Sequence, residues 1–364
     1  MAIEIDTTQF NIPPGKTLKE QIRYLGMSQK ELSERMGITE KAVSHIITGK
    51  VAVSLDTALK LETILGIDAD FWLNLEANYQ INKAKNTETI IDNTELELAK
   101  LYTCYKFLVR RNLVQSSRNY VVRVRELRSF FGVSNLAYIS KLDYGAAFRK
   151  SDYKELDRNA LSILLRIGEI EANEMLVGNY DAILLKQSLK EIKKLTRLDL
   201  SVALKELKNL FDRAGLKIVY TPFIPNTMVN GVVKWMGSTP VIQMTDFRKS
   251  ADIFWFTLFH ELGHVLLHAN KKTRYVDSYD IKVDSQEEQE ADNFAQNELI
   301  PKEQYALFLK EGNFFEAAIN RFAKKIGISP DIVAGRLAYD RQVDSFGFEF
   351  AHKYRRALDF EVVL

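Results

Sequence analysis

The chain has 364 residues, more than one typical domain, so two or three compact units with substantial cores are expected. Its 46% hydrophobic and 27% charged residues are ordinary for a globular protein, and 50 basic against 48 acidic side chains exclude a strongly polyionic one. A single cysteine, Cys104, excludes an intramolecular disulfide framework, and no run of about 20 apolar residues is present to span a bilayer. With no leader-like pattern in "MAIEIDTTQF", a cytoplasmic protein without a membrane partner is the expectation.

From Leu18 to about Tyr79 the sequence is a series of short helical periods separated by glycine-containing breaks, which predicts a compact five-helix unit. Ser28, Thr39 and Ser54 stand where N-caps are wanted. Thr39 follows Gly37 after one residue, so the second and third helices form a helix-turn-helix. In such a pair the start of the second helix enters the major groove. Ala42, Val43, Ile46 and Ile47 serve the core, which leaves Glu40, Lys41, Ser44 and His45 for the bases. Gln29, Thr39, Thr48 and Lys50 are placed at the helix ends to bind phosphates. Residues 1–90 carry 10 Lys plus Arg against 12 Asp plus Glu, a weak electrostatic footprint for a DNA reader. The helix-turn-helix nevertheless resembles the repressor-type XRE family, and "DADFWLNLEANYQINKAK" is similar to the HigA-type antitoxins over about residues 10 to 85. That resemblance implies binding to double-stranded operator DNA, the protein's own promoter, as a homodimer, and a small toxin as a possible partner.

Polar text from Gln80 to Glu95 predicts a linker or a fraying helix end, and Leu96 to about Ala214 has helical apolar spacing almost throughout. Within it, the stretch from Lys106 to Arg128 carries seven basic residues against Glu126 alone, a pattern most simply read as a solvated helix face. After Gly215, "LKIVYTPFI", "GVVKWM" and "PVIQMTD" predict three short strands. Further helices follow. The expected organisation is a helix-turn-helix domain at 1–80, a helical middle or linker region at 81–214, a further domain at 215–345 and a C-terminal tail at 346–364. The fold class is mainly α and multidomain, with an all-α N-terminal domain and an α+β C-terminal domain.

The chemistry is concentrated in "FWFTLFHELGHVLLH", residues 254–268. On a helix His260 and His264 lie about 6 Å apart along one face and present two nitrogens to one ion. In an H-E-x-x-H pattern two imidazoles hold Zn²⁺, which lowers the pKa of a water, and Glu261 takes that water's proton during attack on a carbonyl. The alternative is a core helix with hydrogen-bonded histidines, but polar pairs at this spacing are costly in a segment of Phe, Trp, Leu and Val. His268 stands about 12 Å along the axis from His260, too far to share its ion. A third ligand is therefore sought in "DSQEEQEADNFAQNELIP", where Glu288 and Asp292 are four apart, one to ligate and one to orient a ligand histidine. Glu288 ranks first as ligand and Glu290 second. Tyr275 and Tyr279 are candidates for stabilising an oxyanion, though each is more simply a loop aromatic.

The strands, the H-E-x-x-H helix and "EEQEADNFAQNELIP" together resemble the ImmA/IrrE metallopeptidases from about Gly215 to Asp340. The resemblance implies a zincin-like zinc metallopeptidase domain at 215–345, with Glu288 as third ligand within E-x-x-A-[DN]. It also implies packing of Phe294, Ala295 and "ELIP" behind the site, and a strand such as "PVIQMTD" lining a cleft for an extended substrate. A regulator whose peptidase domain cleaves a repressor-like partner, or itself, in response to a signal is the first functional expectation. A HigA-like antitoxin with a non-catalytic or sensory metal domain is the second.

Overall fold

Short amphipathic segments, each closed by a cap, build the N-terminal unit: α1 (Pro14–Tyr24), α2 (Gln29–Met36), α3 (Glu40–Ile47), α4 (Leu55–Leu65) and α5 (Ala69–Thr87). The side chains of Ser28, Thr39 and Ser54 accept the N–H of Glu31, Ala42 and Thr57 and so start three of them. Gly37, at φ 66°, ends α2 in the left-handed region that glycine enters without strain. The computed structural model describes residues 12–87, 91–142, 157–268, 275–278, 286–343, 350 and 353–363, with backbone alone at 85–87 and 275–278.

Leu18, Leu32, Val43, Leu61 and Trp72 form the core of this unit and are almost completely buried. Helix α5 continues to Thr87, beyond the polar break expected near Gln80, because "QINKAK" consists largely of good helix formers. Gly15, at the start of α1, faces the end of α3. A Cβ added there would lie 2.3 Å from the Ile47 carbonyl oxygen, and backbone cannot yield as a flexible side chain can. Gly15→Ala is accordingly expected to destabilise this unit by about 1–3 kcal/mol, the usual penalty for overpacking, seen as a lower midpoint in thermal denaturation.

Contacts divide the chain into Met1–Asn93 and Thr94–Leu364. The second unit opens with α6 (Asn93–Leu101), α7 (Tyr105–Arg110), α8 (Tyr120–Phe131) and a 3₁₀ turn at Leu136–Lys141. Next come α9 (Arg158–Glu174), α10 (Ala182–Leu195) and α11 (Leu200–Arg213). Four strands follow: β1 (Lys217–Thr221), β2 (Val229–Met236), β3 (Thr239–Thr245) and β4 (Tyr275–Ser278), in sheet order β1-β3-β2-β4. β1 and β3 are parallel, and β2 runs antiparallel to both β3 and β4. The described helices beyond them are α12 (Ala251–Leu267), α13 (Gln286–Leu299), α14 (Lys302–Glu311), α15 (Glu316–Ile326), α16 (Pro330–Tyr339) and α17 (Phe360–Val363). The fourth strand has no counterpart in the sequence reading, since "YVDS" is short and set among charged residues.

Both faces of the sheet are covered, which is why its strands read as nearly continuous apolar runs. On one face Ile218, Val233, Ile242 and Met244 join residues of α10, α11 and α12 in the main core. On the other, Val219 and Val241 pack against Ala172 of α9. Gln243 crosses to α9 and donates to the Leu164 carbonyl at 2.8 Å and to Thr221 Oγ1 at 2.9 Å. Gly168 makes room for it, since a Cβ there would meet Gln243 Oε1 at 2.2 Å. Helices α9 to α11, within the stretch expected as a helical middle, therefore form part of the packing around the sheet.

The last segment differs from the tail expected at 346–364. Ala357 bridges Ser250, the Ala251 N–H donates to the Arg356 carbonyl at 3.0 Å, and Leu358 and Phe360 are buried in the main core. Arg356 donates to Asp331 Oδ2 and to the carbonyls of Thr196 and Leu198. The fold is thus mainly α, with an all-α N-terminal unit and a C-terminal region built on a small mixed sheet. No helix among the described residues is long and apolar enough to cross a membrane.

Candidate functional site

Helix α12 is buried along almost its whole length, so its histidines and Glu261 lie in the protein interior. It packs against α13 through Gly263, where an added Cβ would lie 3.0 Å from Ala291 Cα and 3.3 Å from Phe294 Cδ1. Two small residues at this crossing let the backbones approach and carry the carboxylates of α13 to the histidines of α12.

The approach produces a cluster. His264 Nε2 lies 3.0 Å from His260 Nε2, and Glu288 Oε2 lies 3.1 Å from His260 Nε2 and 3.4 Å from His264 Nε2. One ligand atom from each of the three residues falls within 4.8 Å of the others, a set able to hold a metal ion. Two ligands of a tetrahedral ion at about 2.1 Å each stand about 3.4 Å apart, so the set fits zinc in donor chemistry and scale. Asp292 Oδ1 is 2.8 Å from His260 Nδ1. This contact favours a proton on Nδ1 and leaves Nε2 as the donor atom facing the cluster.

Electrostatics agree with that use. Burial lowers the pKa of His264, which favours the neutral imidazole that ligates metals, against the opposing bond from Glu288. For Glu288, burial acts to raise the pKa, but the bonds from His260 and His264 and their charges together outweigh it and hold the carboxyl at about 2.

Glu261 is fully buried, and its carboxylate lies against β2: a Cβ on Gly231 would come 2.5 Å from Glu261 Oε1 and 2.7 Å from Thr257 Cγ2. Neither Gly231 nor the Gly263–Ala291 crossing was singled out from the sequence, although a glycine between the two histidines was a visible signal. The expectation that "PVIQMTD" could pair with an extended substrate is corrected. It forms β3, flanked on both sides by β1 and β2, so its hydrogen-bonding edges are occupied.

The structure does not bring His268 into the cluster. Its Nε2 lies 3.2 Å from the Glu287 carbonyl and 3.8 Å from Glu290 Oε2. Glu290, the second choice of ligand, is thus beside His268. Ala295, Leu299 and Ile300 are in the core, with Phe294 packed against it. The side chains of Tyr275 and Tyr279 fall outside the described residues.

In the N-terminal unit Val43 and Ile46 face inward, while Ala42 and Ile47 are half-buried. Thr39, Glu40, Lys41, Thr48 and Lys50 are exposed, and Gln29, Ser44 and His45 are partly so. Thr39 Oγ1 accepts the Ala42 N–H at 3.2 Å, which leaves its own hydrogen for a phosphate. Thr48 Oγ1 donates to the Ser44 carbonyl at 2.7 Å, so its hydrogen is already engaged within the helix.

Comparison with known proteins separates the same two regions. Residues 211–338 match the IrrE N-terminal-like domain, and residues 18–72 match the helix-turn-helix family. An uncharacterized HTH-type transcriptional regulator, YddM of Escherichia coli, is 31% identical over 74 residues, covering 20% of this chain and 79% of that protein. Antitoxin HigA-1 of Vibrio cholerae is 38% identical over 63 residues, 17% of this chain and 59% of its own length. Among solved structures, an addiction module antidote protein of the HigA family from Coxiella burnetii is 33% identical, with a TM-score of 0.21 over 22% of this chain and 96% of that one.

Proposed function

Because the chain belongs to the helix-turn-helix regulators through residues 18–72 and carries an IrrE N-terminal-like domain over 211–338, we propose that it is a transcriptional regulator with a zinc-dependent endopeptidase. The peptidase cleaves a repressor-like protein partner, or the chain itself, in response to a signal. The observation that carries this reading is the convergence of His260, His264 and Glu288 with Glu261 next in sequence to the first ligand.

His260, His264 and Glu288 would hold a zinc ion, and Asp292 orients His260. When bound, the ion would supply Lewis acidity to a peptide carbonyl and to a water. Glu261 is the group that would accept a proton from the attacking water and return it to the leaving amine. Burial of the helix around Glu261 excludes bulk water. An extended substrate adds to the β4 side of the sheet, beyond β2, by strand pairing.

Glu40, Lys41, Ser44 and His45 face base edges in double-stranded operator DNA, with Gln29, Thr39 and Lys50 toward phosphates, while the Thr48 hydroxyl stays engaged with the Ser44 carbonyl. The protein acts as a cytoplasmic homodimer at its own promoter.

The test is incubation of the purified chain with repressor-like proteins of the same cell, with zinc or with a chelator, followed by mass spectrometry. Discrete zinc-dependent fragments are expected, and identical peptide maps under both conditions would overturn the reading. The position of Gly231 gives a sharper outcome. Gly231→Ala places a methyl 2.5 Å from Glu261 Oε1 and forces that carboxylate to shift, so cleavage is expected to fall about 10²-fold while zinc content stays unchanged.

The similarity to antitoxin HigA-1 favours a second reading: an antitoxin that neutralises a small toxin and represses its own operon, with the metal domain non-catalytic or sensory. Unchanged repression by Glu261→Gln, together with capture of a toxin encoded beside the gene, is the outcome expected from it.

A further inference from the structure

We propose that the arginine-rich surface of α7 and α8 is a second contact for the phosphate backbone of double-stranded DNA, supplying charge that the helix-turn-helix unit lacks. The proposal rests on the DNA-binding reading above. Residues 1–90 have 10 basic against 12 acidic side chains, whereas affinity for duplex DNA comes largely from cations that displace condensed counterions. The balance reverses between Lys106 and Arg128, with seven basic residues and one acidic.

The fold sorts these residues into internal and outward-facing roles. Arg128 binds the buried carboxylate of Glu95 through Nε at 3.0 Å, and Arg111 pairs with Glu171 at 3.2 Å. Glu126, the acid in the stretch, accepts the Gln115 N–H at 2.7 Å. Arg110 and Glu361 line one depression, so the charge there is partly offset. Lys106, Arg118 and Arg125 remain exposed, with no ion pair among the described residues.

The surface is also held in shape. The Arg123 guanidinium lies over the rings of both Tyr105 and Tyr120, 4.8 Å from each centroid, and its Nε donates to the Ser117 carbonyl at 2.8 Å. Tyr105 in turn donates its hydroxyl to the Gln115 carbonyl at 2.6 Å. These contacts tie the start of α7 to the start of α8 and fix the turn carrying Arg118, so little ordering is required when a polyanion binds. Exposed cations with no ion pair among the described residues contribute nothing to the core and are available to an external anion.

Duplex DNA is the polyanion that a helix-turn-helix in the same chain would bring to high local concentration. A membrane surface fits less well: the exposed residues of α8 are Tyr120, Arg125 and Ser129, with no aliphatic anchor.

The experiment compares the full chain with a Lys106→Ala/Arg118→Ala/Arg125→Ala variant on two duplexes, the protein's upstream region and a random sequence. Binding is measured between about 50 and 200 mM salt. The slope of log affinity against log salt is expected to shrink by about 2–3, at roughly 0.9 per phosphate contact, with both duplexes weakened by a similar factor. Thermal denaturation should be unchanged. An unchanged slope overturns the proposal. Lys41→Ala, run in parallel, should narrow the preference for the upstream duplex, so failure there alone concerns the recognition helix. If the unmodified chain binds neither duplex, both readings fall. If the triple variant loses binding only to phosphatidylserine vesicles, the surface belongs to a membrane and the proposal is overturned.

Discussion

Glutamine in place of Glu261 is expected to lower zinc-dependent cleavage by about 10²–10⁴-fold, the usual contribution of a positioned general base. The substitution keeps the side chain's length and volume against Gly231 and Thr257, so packing around α12 should survive. What disappears is the ability to accept a proton. Zinc should remain at one ion per chain by elemental analysis, because Glu261 is not among the three residues that converge on the metal position. Single-turnover cleavage beside the metal measurement checks both halves. Cleavage within a few-fold of the unmodified protein would assign the base to another group. If zinc content, DNA binding and transcriptional control are all unaltered, the binding-module reading replaces the peptidase reading.

Removal of His264 is the second large effect expected. Binding of a four-ligand zinc is worth about 10–16 kcal/mol, so one ligand represents roughly 3 kcal/mol, or 10²–10³-fold in affinity. Competition with a chromogenic chelator should reveal that loss in His264→Ala. The histidine is 1% exposed, so alanine also leaves a cavity. Glu288→Gln controls for this by preserving volume while removing the ionised oxygen that contacts both imidazoles. Zinc affinity should fall in both variants; without metal, stability should fall in the first through the cavity and in the second through loss of the carboxylate's bonds to the imidazoles. Retention of zinc by both would remove the ligand assignment.

Much of the candidate site was legible because its parts are local. His260 and His264 are four residues apart, and any α-helix places such a pair on one face. Glu288 could be ranked above Glu290 only through a motif and a presumed helix phase. The tertiary arrangement separates them: Glu288 contacts both cluster histidines, whereas Glu290 lies beside His268. The strand against Glu261 was not legible. β2 and β3 are both apolar and similarly short, and strand order depends on pairings between distant segments.

The N-terminal helices, their caps, strands β1 to β3 and the two histidines of α12 were determined by the sequence alone. Each depends on backbone sterics and side-chain periodicity within a few residues. Only the tertiary structure decided that Gly263 and Ala291 let α13 approach α12, that Gly231 leaves space for Glu261, and that α9 covers the sheet. It also turned residues near Arg356, expected as a tail, into a brace at the start of α12. These features arise from close packing between segments tens to more than a hundred residues apart, where steric fit, invisible in any short window, selects the partner.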